Sequence, residues 1–282
     1  MKLNLDIEID SQSGFCFGVK EAIRKAEDVL SQGKKLYCLG QIVHNQEEIK
    51  RLEDLGMVTI DLGDIEKLKG ENILIRAHGE PPETYNSIEK NHNVSIEATC
   101  PVVLKLQDRI KATHDDGDFI LIFGKKQHPE VLGLAGQIGG DYLIFKEFEE
   151  LVIDDLPDRI TLYSQTTMDV DQLLIIAEKL KQAGKEVVLK DTVCRQVLGR
   201  KNEIQIFAKK KNIILMVAGK NSSNGQILYE ACKLVNSRSY HISSVGEVSP
   251  EWFLSGDKVG ICGATSTPDW LMKDVEVYLT GL

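Results

Sequence analysis

The sequence predicts an α/β fold of three pseudo-repeated domains with mainly parallel sheets. Cys16, Cys100 and Cys194 are each followed 28 residues later by a polar residue, His44, His128 or Ser222, that ends an apolar stretch. A third set of endpoints, His78, Thr166 and Ser266, follows the same cysteines after 62, 66 and 72 residues, as expected where only loops have drifted. Between these points strand-like runs alternate with helical patterns of about ten to fifteen residues, which reads as βαβ units and hence parallel pairing.

Each third repeats one order of elements. An extended stretch precedes each cysteine, at residues 5–9, 94–97 and 186–189. The cysteine then sits at a strand-to-helix turn, in Gly14-Phe15-Cys16-Phe17-Gly18-Val19, Ala98-Thr99-Cys100-Pro101 and Asp191-Thr192-Val193-Cys194. Gly14 and Gly18 allow close backbone approach, and Pro101 suits the first position of a helix. A helical pattern follows, then an apolar strand at 35–39, 119–123 and 213–218. A second helix opens on His44-Asn45-Gln46, His128-Pro129-Glu130 and Ser222-Ser223-Asn224. A further strand, at 72–76, 159–163 and 258–261, closes on His78-Gly79, Gln165-Thr166-Thr167 and Ser266-Thr267-Pro268. No flexible tether separates the thirds, so tightly packed domains are expected over residues 1–98, 99–191 and 192–282. They would carry Cys16, His44 and His78; Cys100, His128, Glu130 and Thr166; and Cys194, Ser222, Asn224 and Ser266, respectively.

Composition narrows the functional classes. With 282 residues and 42% apolar content the chain can bury ample core, while its net charge of -9 argues against a nucleic-acid partner. An anionic small molecule remains compatible, because local N–H groups and charges decide binding. No signal peptide or membrane-spanning run is apparent, so a soluble, cytoplasmic protein without a membrane partner is expected. In that compartment the six cysteines read as thiols or metal ligands rather than disulfides.

Parallel sheets gather ligands at the carboxyl ends of their strands, where helix N-termini also point. Three such edges turned inward would form one pocket. Cys38, Cys232 and Cys262 lie inside apolar patterns and read as core residues. Cys16, Cys100 and Cys194 lie at turns, where a following helix favours thiolate. Three thiolates without a fourth suggest a metal centre with an open position. Structural zinc usually takes four protein ligands, and no C-x-x-C is present. An iron–sulfur cluster suits widely separated cysteines, and an uncoordinated iron could act on a substrate oxygen.

The remaining endpoints admit two readings each. His44, His78 and His128 could cap helices locally or, with Ser222, Ser223, Asn224 and Ser266, form a phosphate cradle. Glu130 fits a favourable place on a helix dipole, or a buried acid poised to donate a proton. Thr166 and Thr167 could merely end a strand, or relay protons and orient a substrate alcohol. His92, His114 and His241 have no repeat partner and are assigned no role.

Taken in order, these motifs together with Val43-His44-Asn45 and Ala77-His78-Gly79 resemble the 4-hydroxy-3-methylbut-2-enyl diphosphate reductases of the non-mevalonate (methylerythritol phosphate) isoprenoid pathway. The resemblance runs from the first cysteine to the last serine. It implies three α/β domains arranged trefoil-like around a central 4Fe-4S cluster, held by Cys16, Cys100 and Cys194 with one iron open. It implies diphosphate binding by His44, His78, Ser222, Asn224 and Ser266 with Ser223 close by, and substrate contact by His128. Glu130 would be the proton source and Thr166 the partner of the substrate hydroxyl. The implied reaction is a two-electron reductive dehydroxylation giving isopentenyl and dimethylallyl diphosphates, with ferredoxin or flavodoxin as donor. An open-iron hydro-lyase that is redox-neutral, and a non-enzymatic iron–sulfur sensor, are the alternatives.

Two stretches depart from the family pattern. Cys262-Gly263-Ala264-Thr265 replaces Thr-Ala-Gly-Ala before Ser266, which allows a differently shaped loop and a place for Cys262 near the pocket. Arg195-Gln196-Val197-Leu198-Gly199-Arg200 replaces a threonine-containing stretch, with no catalytic role lost.

Overall fold

The computed structural model describes residues 3–282. In chain order, the first elements are β1 (Asp6–Ile9), α1 (Phe17–Ser31), β2 (Leu36–Leu39), α2 (Gln46–Asp54), β3 (Met57–Ile60), β4 (Asn72–Ile75), α3 (Pro82–Lys90) and β5 (Val94–Glu97). The middle of the chain forms α4 (Pro101–Asp115), β6 (Ile120–Phe123), α5 (Pro129–Ala135), β7 (Tyr142–Phe145), β8 (Arg159–Ser164), α6 (Val170–Gln182) and β9 (Glu186–Leu189). The last elements are α7 (Arg200–Lys209), β10 (Ile213–Val217), α8 (Ser223–Val235), β11 (Ser239–Ile242), β12 (Lys258–Gly263) and α9 (Asp269–Thr280).

The fold class is α/β, with three four-stranded sheets ordered β3-β2-β4-β5, β7-β6-β8-β9 and β11-β10-β12-β1. Every pairing among the described residues is parallel. Central strands are buried along their length, as in Ile-Leu-Ile-Phe of β6 and Ile-Ile-Leu-Met-Val of β10, because helices cover both faces of such sheets. Proline at the first turn starts α3, α4 and α5, where the missing N–H costs no hydrogen bond.

Contacts divide the chain into two compact units. One comprises Met1–Ile23, Gln41–Gly56 and Arg195–Leu282 and carries the sheet of β10, β11, β12 and β1. Its core includes an apolar cluster with Leu215, Val217, Ile261 and Leu271 and another with Ile204, Met216, Cys232 and Cys262. Within this unit Trp270 Nε1 of α9 donates to Glu48 Oε2 of α2 at 2.7 Å. The other unit, Arg24–Gly40 and Met57–Cys194, carries the remaining two sheets. Their cores centre on Ile73, Ile75 and Ile88, and on Ile110, Ile122 and Tyr163.

Two sequence expectations need correction. The strand before Cys16 pairs with β12 rather than with β2–β5, so β1, which the sequence placed in segment 1–98, completes the sheet of segment 192–282, while β2–β5 and β6–β9 stay within segments 1–98 and 99–191. The strand before each cysteine is the fourth member of its sheet and flanks the strand bearing a third-set endpoint: β5 flanks β4, β9 flanks β8 and β1 flanks β12. The second correction concerns Cys194. Turns occupy residues 195–199, and α7 begins only at Arg200, after Gly199 at φ 79°. A left-handed glycine breaks the helical path that Cys16 and Cys100 enter directly.

Candidate functional site

In the first unit, the carboxyl ends of β1, β12 and β10 bring together Cys16, Ser266 and Ser222. Gly14 turns the chain towards Cys16 at φ 112°, and a Cβ there would lie 2.4 Å from Asp269 Oδ1. The Cys16 amide donates to the Thr265 carbonyl at 3.2 Å, which sets the cysteine beside the loop of Ser266. Ser222 caps α8, its Oγ accepting from Gly225 N at 3.1 Å and lying 3.1 Å from Ser266 Oγ. Ser223 Oγ and Asn224 Oδ1 are buried without a hydrogen-bond partner. Asn224 Nδ2 donates to Thr265 Oγ1 at 3.1 Å, and exchanging the amide atoms would let Thr265 donate to Asn224 and turn the amide N–H to a ligand. The backbone of His44 packs on Gly219, where a Cβ would lie 2.1 Å from the His44 carbonyl oxygen.

Hydroxyls, an amide and the N-terminus of a 13-residue helix thus share one place. Such a set satisfies the oxygens of an anion and would otherwise leave buried polar atoms unsatisfied. Thr265, the last residue of the stretch Cys262-Gly263-Ala264-Thr265, supplies the partner of Asn224. Cys262 points into the core: it is fully buried, and burial pushes its thiol pKa well up. Cys38 and Cys232 are likewise fully buried, whereas Cys16, Cys100 and Cys194 are half-buried.

In the second unit the corresponding edges hold Cys100, His78, His128, Glu130, Thr166 and Cys194. The Cys100 amide donates to the Ala77 carbonyl at 3.0 Å, and the Cys194 amide to the Thr166 carbonyl at 2.8 Å. With the Cys16 bond, one backbone link recurs three times, joining each cysteine to a third-set endpoint loop. The sequence grouped Cys16 with His78 and Cys100 with Thr166. Because each cysteine follows the fourth strand of a sheet, Cys100 instead lies beside His78, Cys194 beside Thr166 and Cys16 beside Ser266.

His128 caps α5, its Nδ1 accepting from Glu130 N at 3.2 Å. Its ring meets that of His78 edge to face, with centroids 5.2 Å apart. One residue into the same helix, Glu130 is 2% exposed. Its Oε1 accepts from Thr166 N at 2.6 Å and its Oε2 from Thr166 Oγ1 at 2.8 Å. Burial pushes the Glu130 pKa from 4.5 up to about 7, and the two Thr166 bonds partly oppose that rise. Glu130 thus occupies the first turn of a helix and is at the same time a buried acid whose pKa burial raises to about 7.

The donor set fits an iron–sulfur cluster in its chemistry: three half-buried thiols at equivalent strand ends, distinct from the three core cysteines. The protein family model described as LytB protein matches residues 7–280. The chain belongs to the LytB family. Among LytB relatives, a 4-hydroxy-3-methylbut-2-enyl diphosphate reductase of Bacteroides thetaiotaomicron is 44% identical over 282 residues, covering 98% of each chain. The protein of that name from Chlorobaculum tepidum is 42% identical, covering 99% of this chain and 96% of its own. A solved structure of (E)-4-hydroxy-3-methyl-but-2-enyl diphosphate reductase, the terminal enzyme of the non-mevalonate pathway, aligns with TM-score 0.74 at 33% identity. It covers 98% of this chain and 99% of that one. The Plasmodium falciparum reductase structure aligns with TM-score 0.85 at 26% identity, covering 98% and 88%.

Sequence reasoning missed a buried cluster behind Cys16. Arg200 Nη2 donates to Asp10 Oδ2 and, at 3.1 Å, to Ser13 Oγ. Neither Asp10 nor Arg200 belongs to a repeated motif, so periodicity gave no signal for them. No helix among the described residues is long and apolar enough to cross a membrane.

Proposed function

We propose that the chain reductively dehydroxylates 4-hydroxy-3-methylbut-2-enyl diphosphate to isopentenyl and dimethylallyl diphosphates, the last step of the methylerythritol phosphate pathway. The allylic C–O bond breaks, a C–H bond forms, and two electrons and two protons are consumed as water leaves. Cys16, Cys100 and Cys194 would hold a 4Fe-4S cluster with one open iron, which when bound supplies the electrons received from a ferredoxin or flavodoxin carrier.

The observation that carries this reading is the Glu130–Thr166 pair. A carboxyl with pKa about 7 is largely protonated below neutrality yet able to give its proton up, which general acid catalysis requires. Thr166 Oγ1, 2.8 Å from the carboxyl, extends it by one hydroxyl towards the substrate alcohol. Protonation there releases water instead of hydroxide, a far poorer leaving group. Ser222, Ser223, Asn224 and Ser266 would hold the diphosphate, with His44 and His78 as further members of the set. His128 would contact the substrate beside Glu130. Anchoring the remote diphosphate orients the reacting carbon and converts binding energy into positioning.

The test is anaerobic incubation of purified protein with the allylic diphosphate and a chemical reductant, followed by product analysis. Both isomeric diphosphates should appear with reductant and neither without it. Turnover independent of reductant would favour the hydro-lyase reading instead.

A further inference from the structure

We propose that Arg200, Asp10 and Ser13 form a positioning cluster that fixes the Cys16 loop and slows loss of iron through the cavity behind it. The inference rests on Cys16 being a cluster ligand. Arg200 begins α7, and its buried guanidinium reaches residues far away in sequence. Asp10, at the end of β1, is buried and accepts from Arg200 Nη2 and, at 2.8 Å, from Ser13 Oγ. Ser13 Oγ also lies 3.1 Å from Arg200 Nη2 and accepts from Gly263 N at 2.8 Å. One hydroxyl and one ion pair therefore fasten the turn leading into Cys16 to the end of β12 and the start of α7.

Ser13 and Arg200 also wall a cavity of about 330 Å3 that Cys16 and Gly263 line as well, with Lys20 and Arg195 at its exposed side. Solvent in that cavity has a route to the cysteine. The Cys16 amide bond to Thr265 fastens the loop on one side, and the ionic cluster adds an attachment on the side of the cavity that resists opening there. Both bonds leave the one nitrogen Nη2, so a lysine ammonium can reproduce part of the pattern but not the guanidinium's fixed planar placement.

The test compares anaerobically reconstituted wild type with Arg200→Met, Arg200→Lys and Ser13→Ala, measuring iron release to an excess of chelator and the electron paramagnetic resonance spectrum of the reduced protein. Thermal midpoints of the cluster-free forms are measured alongside. Arg200→Met should release iron at least about tenfold faster and show an altered spectrum, with Arg200→Lys partly restoring both. Ser13→Ala keeps the ion pair and remains testable if Arg200→Met fails to fold; it should release iron several-fold faster. Wild-type release rates and spectra in Ser13→Ala and in whichever Arg200 variants fold would overturn the proposal, even if the thermal midpoints fall. A wild-type protein that binds no iron would instead overturn the cluster reading on which the proposal rests.

Discussion

Glu130 and Thr166, joined by two hydrogen bonds, form the smallest unit of the proposed chemistry. Replacing Glu130 with Gln preserves shape and burial but removes the titrating proton, so kcat should fall by about 10²- to 10⁴-fold while KM changes little. Steady-state kinetics at saturating reductant would check this, and unchanged kcat would remove the proton-donor role. The same carboxyl has a consequence for stability. Its folded pKa, about 7, lies above the ordinary 4.5, so the fold binds this proton more tightly than the unfolded chain does. The resulting stabilisation is complete below pH 4.5 and is lost as pH rises through about 7, a change of roughly 3 kcal/mol. Urea midpoints of cluster-free wild type should fall across that window relative to Glu130→Gln, and parallel pH profiles would contradict the assignment. At this scale the sequence was informative: Glu130 was identifiable from its place after His128-Pro129, but its bond to Thr166 was not, because 36 residues separate the two.

At the scale of elements, what the sequence showed was the strands and helix starts that bear the endpoints. The strands expected at 94–97 and 186–189 form with those limits, and the others differ by one or two residues at an end. It did not reveal β3, β7 and β11, which are four residues each and lie between the second helix and the next strand. Short edge strands carry too little alternation to register alone, although their equivalent places in the repeat would have exposed them. Gly219 shows why the element ends must be so close. A methyl at this position would lie 2.1 Å from the His44 carbonyl oxygen, and backbone on that side cannot rotate away as a flexible side chain could. Gly219→Ala should therefore destabilise the protein by about 1–3 kcal/mol and displace the adjoining Ser222 cap. Inorganic diphosphate binding followed by calorimetry should weaken at least several-fold, whereas wild-type affinity would show that this close approach does not shape the anion site.

Over the whole molecule, the three sheets repeat one strand order, and the period of the cysteines announced that repeat. What the period concealed was its phase. Each cysteine follows the fourth strand of one sheet and precedes the helix leading to the next, so a first segment that keeps β1 separates it from β12, with which it pairs. Only the pairing of β1 with β12, between chain segments some 250 residues apart, reveals it. The three equivalent cysteine amide bonds then make a prediction about metal content: Cys16→Ser, Cys100→Ser and Cys194→Ser should each lose most bound iron, while Cys38→Ser and Cys232→Ser should retain it if they fold. The most direct measurement is the Mössbauer spectrum of wild-type protein purified anaerobically from cells grown on ⁵⁷Fe. The account predicts four irons per chain, with one distinguishable from the other three and altered by the allylic diphosphate. A chain without iron, or with an iron content and spectrum of another centre unresponsive to that substrate, would contradict it.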